Sequence, residues 1–68
     1  MEGPLFKLRE REVMYLLSLD FSLREIAARV GVIHRTVEHD VTRLRAKYNA
    51  RDVAALRVIA QGQADILV

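Results

Sequence analysis

Only three residues, Gly31-Val32-Ile33, separate two helical patterns in this chain, and that brevity constrains the fold more than any other feature. Before the gap, Ile26, Ala27 and Val30 share one helical face. After it, Val37, Val41, Leu44 and Tyr48 recur at i, i+4, i+7 and i+11. A connection of this length is that of the turn in a helix-turn-helix, although many small helical domains contain turns as short.

The flanking segments supply the third element and a fourth. Val13, Leu16 and Leu17 form one face of a first helix over about 9–19, and Asp20 can end it in the left-handed conformation. Pro4 is read as part of an N-terminal tail. The second helix, about 23–30, opens on Ser22-Leu23-Arg24-Glu25, a capping box, and Gly31 terminates it. The third helix covers 34–48, with Asn49 as its stop. Asp52 is an N-cap for a fourth over about 52–61. No alternating run and no Asn-Gly or Asp-Gly turn marks a strand, so the fold class is all-α, with 1–68 as a single helix-turn-helix domain.

Composition narrows function by exclusion. There is no cysteine, so disulfides and thiolate metal sites are out and a cytoplasmic location is expected. No apolar run approaches a membrane span. Met1 fits either a complete small protein or an excised domain with an added methionine. Ser18, Ser22, His34 and His39 lack any nucleophile motif around them. His34 and His39 are five apart, so they project to different helix faces and make no metal pair. An enzyme, a cofactor and a bound metal are not expected. The net charge of +2 permits a nucleic-acid partner without demanding one.

The segments Arg9-Glu10-Arg11-Glu12-Val13, Glu25-Ile26-Ala27-Ala28-Arg29-Val30-Gly31-Val32 and Thr36-Val37 with Val41 carry a family resemblance. The chain resembles the DNA-binding domain of the LuxR/GerE family of bacterial transcription regulators, and within it the GerE-like stand-alone members. The match continues without gaps to Gly62. It implies a four-helix domain whose third helix enters the major groove of double-stranded DNA and whose fourth helix joins a homodimer. The family usually places Ser or Thr where Ile33 stands, often Lys where Glu38 stands, and often His where Asp40 stands. Isoleucine has no oxygen to cap a helix, an omission that costs about 1 kcal/mol.

The third helix holds two acids, which poses a question for a DNA-reading element. A rotation of about 100° per residue from the Val37/Val41/Leu44/Tyr48 stripe answers it. Arg35, His39, Thr42 and Ala46 point away from the core, with Arg43 on one flank and Glu38 on the other. Asp40 swings back toward the protein, where a basic residue of a neighbouring helix is its expected partner. The expected base contacts are Glu38, His39 and Thr42, since a carboxylate can accept from the cytosine amino group. For Glu38 a helix-dipole or solvated role is an equal alternative. The expected phosphate contacts are Arg24, Arg35, Thr36, Arg43 and Lys47, because most protein–DNA hydrogen bonds go to the backbone.

On the fourth helix, Val53, Leu56 and Ala60 lie to one side of a polar strip of Arg57 and Gln61. Ala54, Ala55, Val58 and Ile59 lie to the other, more apolar surface than so small a core can cover. The expected dimer interface is Ala55, Val58 and Ile59. The rival reading keeps the fold but makes it a protein-interaction module that pairs with another regulator or with RNA polymerase.

Overall fold

The computed structural model describes residues 4–63, with side chains from residue 8 onward. Residues 1–3 and 64–68 of the expected domain lie outside the described residues. Four helices follow in order: α1 (Pro4–Ser18), α2 (Leu23–Val30), α3 (His34–Tyr48) and α4 (Val53–Gly62). No strand occurs among the described residues. The all-α, four-helix expectation is met.

α1 begins earlier than its apolar stripe suggests. Pro4 is its first residue rather than part of a tail. Proline suits that place: its fixed φ is already helical and its missing N–H has no partner to lose. The remaining ends follow local chemistry. Asp20 (φ 69°) and Asn49 (φ 56°) adopt the left-handed conformation that closes α1 and α3. The Ser22 Nand Oγ atoms complete the capping box of α2. The Ser22 N–H donates to Glu25 Oε1 at 2.9 Å, and the Glu25 N–H donates to Ser22 Oγ at 3.1 Å. Asp52 caps α4 by accepting from the Ala55 N–H at 2.8 Å.

Gly31 sets the turn between α2 and α3. Its φ of 84° is left-handed, and both its own N–H and that of Val32 donate to the Ala27 carbonyl, at 2.9 and 3.0 Å. A Cβ here would meet nothing within 4 Å. The demand for glycine is therefore conformational rather than steric, worth roughly 1–2 kcal/mol.

The core is drawn from all four helices. Val13, Met14 and Leu17 of α1 meet Ile26 and Ala27 of α2, Val37, Val41 and Leu44 of α3, and Leu56 and Ala60 of α4. Ala50, in the turn before α4, is also buried. α4 packs chiefly along α1, while α2 packs chiefly on α3. The helix-turn-helix pair is thereby braced from behind by α1.

Candidate nucleic-acid interface

α3 presents two opposite faces. Val37, Val41 and Leu44 are buried, whereas Arg35, His39, Thr42, Arg43 and Ala46 are exposed. Asp40 is buried with the apolar stripe, at 2% exposure. Its carboxylate receives a two-pronged contact from Arg9 of α1: Nε donates to Oδ2 at 2.7 Å and Nη2 to Oδ1 at 3.1 Å. Arg9 is the basic partner that the rotation of α3 required. The hydrogen bond to Asp40 raises the Arg9 pKa above its already high ordinary value, against a smaller opposing effect of burial. The charge of Asp40 is thus matched inside the protein rather than presented outward.

Two residues before Asp40, on the other shoulder of α3, Glu38 remains outside. Its side chain is 54% exposed, and Oε1 stands 3.7 Å from His34 Nδ1, an i, i+4 neighbour. The Thr42 hydroxyl donates back to the Glu38 carbonyl at 3.0 Å, which leaves its oxygen outward as an acceptor. Arg24 is exposed in the first turn of α2, and Thr36 is half-buried at the start of α3.

Lys47, Arg45 and Arg57 also have protein partners. Lys47 donates from Nζ to Glu10 of α1 at 2.8 Å and lies 5.9 Å from the centre of the Tyr48 ring. Arg45 turns toward the end of its own helix. It donates through Nε to the Ala50 carbonyl at 3.4 Å and through Nη2 to the Arg51 carbonyl. In the polar strip of α4, Arg57 reaches toward α1: Nη1 donates to the Leu17 carbonyl at 3.4 Å and lies 3.8 Å from Asp20 Oδ1. These partners were not foreseen. Arg9, Glu10 and Arg57 sit on surface-like helical positions, and only the crossing of α1 over α3 and α4 brings acceptors to them.

The expected dimer residues separate as well. Val58 is 68% exposed, but Ala55 and Ile59 are half-buried and pack against the domain's own core. The surplus apolar face of α4 is therefore narrower than the helical wheel implied, and consists of Val58 with exposed Ala54. The cause is the core cluster itself, which takes up part of that face through Ala55 and Ile59.

Residues 7–60 match the family described as bacterial regulatory proteins, luxR family. The chain belongs to the LuxR family. No match emerges among curated proteins or among solved structures. As a LuxR-family helix-turn-helix, the domain is a DNA-binding module of transcription regulation, and its family is regulatory rather than enzymatic. The match spans the capping box, the Gly31 turn and all of α3, so it covers the elements that set the outward face. No helix among the described residues is long and apolar enough to cross a membrane.

Proposed function

We propose that this LuxR-family domain reads specific double-stranded DNA as a homodimer, with α3 in the major groove of each half-site and α4 joining the protomers. One observation carries the reading: the outward face of α3 is exposed and rich in donors, while the acid nearest its core side is turned inward and paired with Arg9. Arg35, Arg43 and Arg24 then serve phosphates, with Thr36 at the groove lip. His39 and Thr42 face bases and Glu38 works at the groove edge. Val58 is the centre of the protomer contact, because an exposed branched aliphatic residue on a helix gains by burial against its own copy.

The decisive experiment is selection of bound duplexes from a random pool at low salt, followed by gel shift. Enrichment of a two-fold repeated sequence is the expected result. A second reading, a protein-interaction module for another regulator or RNA polymerase, draws on Glu38, an acid on the exposed shoulder of α3. Failure to enrich any sequence, or binding indifferent to salt, would favour it.

A further inference from the structure

Ile33 is the most exposed large apolar residue among the described residues, at 70%. It occupies the N-cap position of α3 with extended backbone, φ −75° and ψ 155°, and its side chain makes no capping hydrogen bond. Its carbonyl accepts from the Thr36 N–H at 3.0 Å, so the backbone is engaged while the side chain serves neither core nor cap. The other exposed large apolar residues stand elsewhere: Leu8 on α1, Leu19 in the turn after it and Val58 on α4. Ile33 alone among these leads directly into the helix that carries Arg35, His39 and Thr42.

The N-terminal residues of a recognition helix are the ones that reach base edges. An aliphatic side chain offers nothing to a phosphate, to a sugar hydroxyl or to the hydrogen-bonding edge of a base. The major groove holds one feature of matching chemistry, the C5-methyl group of thymine. We infer that Ile33 is a specificity-determining residue that selects thymine by apolar contact with this methyl group. Ile33 stands exposed at the residue immediately before α3, and on this inference that exposure is relieved when DNA binds. The inference rests on the proposed placement of α3 in the groove.

The test uses the duplex obtained by selection. Each thymine is replaced in turn by deoxyuridine, which removes the methyl group and leaves base pairing intact. At one thymine of each half-site the replacement should weaken binding by the full chain about fourfold, the effect of one buried methyl group. Ile33→Ala should bind the thymine and deoxyuridine duplexes equally, while Ile33→Val should still discriminate. Circular dichroism should show both variants folded, as expected for an exposed position. If no thymine responds, or if Ile33→Ala discriminates as the native chain does, the inference is overturned and the groove placement stands. If no duplex is selected at all, the groove placement and the inference fall together.

Discussion

Arg9 and Asp40 lie 31 residues apart in the chain and meet through two parallel hydrogen bonds, with Asp40 almost wholly enclosed and Arg9 partly open to water. This asymmetry predicts unequal losses. Removing Arg9 strands a carboxylate in the interior, at a cost of about 3–5 kcal/mol. Removing Asp40 leaves a guanidinium that can turn outward, at a cost of about 1–3 kcal/mol. A domain this small holds only about 3–5 kcal/mol in total. Arg9→Ala should therefore be largely unfolded in urea titration, Asp40→Ala destabilised but folded, and Arg9→Met with Asp40→Leu restored toward native stability. An Arg9→Ala variant as stable as Asp40→Ala would refute the account. Asp40→Ala should leave the selected DNA sequence unchanged.

The Glu10–Lys47 pair predicts a difference among the basic residues. Arg35→Ala should weaken binding to all sequences and flatten the dependence of log K on log salt by about one unit. Lys47→Ala should flatten it by less, because Glu10 already neutralises the ammonium at 2.8 Å. Glu10→Ala should raise non-specific affinity. Gel shifts at three salt concentrations decide this, and equal slopes for the Arg35 and Lys47 variants would contradict it.

At the groove edge, Glu38→Ala should relax preference at one base pair by about 1–3 kcal/mol if the carboxylate accepts from cytosine. It should also raise affinity for random DNA, since it removes an exposed negative charge. Repeating the duplex selection with the variant reads both effects. An unaltered selected sequence would assign Glu38 to its His34 neighbour instead.

On α4 the two aliphatic neighbours should behave differently. Val58→Asp places a charge on an exposed site and should yield a folded monomer in sedimentation, whereas the native chain should sediment as a dimer at micromolar concentration. Ile59→Asp forces a charge toward the core and should lower Tm before it alters assembly. A native chain that sediments as a monomer at high concentration would defeat the dimer reading.

Glu25 supplies a pH dependence. Hydrogen bonds from the Ser22 backbone and hydroxyl hold its pKa below the ordinary glutamate value. A depressed carboxylate pKa contributes stability that is present above the ordinary value and lost as pH falls through the lower folded value. Glu25→Gln keeps an acceptor for the Ser22 N–H but cannot titrate. The Tm advantage of the native chain over this variant should shrink between neutral pH and pH values below the glutamate range. An advantage unchanged by acid would remove the carboxylate from the explanation.

The helices were legible because their ends are written in single residues: Ser22 with Glu25, Gly31, Asn49 and Asp52 each act within one turn. The inward turn of Asp40 was legible too, because it follows from helical rotation alone. The identity of its partner was not. Arg9 and Glu10 are separated from α3 by a whole helix and two turns, and only tertiary crossing selects them from the other charged residues of α1. The same limit applies to α4, where periodicity located the apolar residues but not how many of them the core would cover. The start of α1 at Pro4 lies more than two turns ahead of Val13, Leu16 and Leu17, the residues that located this helix in the sequence.

α1 holds α3 through Arg9 and Glu10 toward one end and receives Arg57 of α4 on the Leu17 carbonyl toward the other. It is the tie-beam of the domain. In the proposed dimer joined through α4, the separation of the two recognition helices would then depend on the length and pitch of α1. Sliding that beam by a fraction of a turn would retune the half-site spacing without altering a single side chain in the groove.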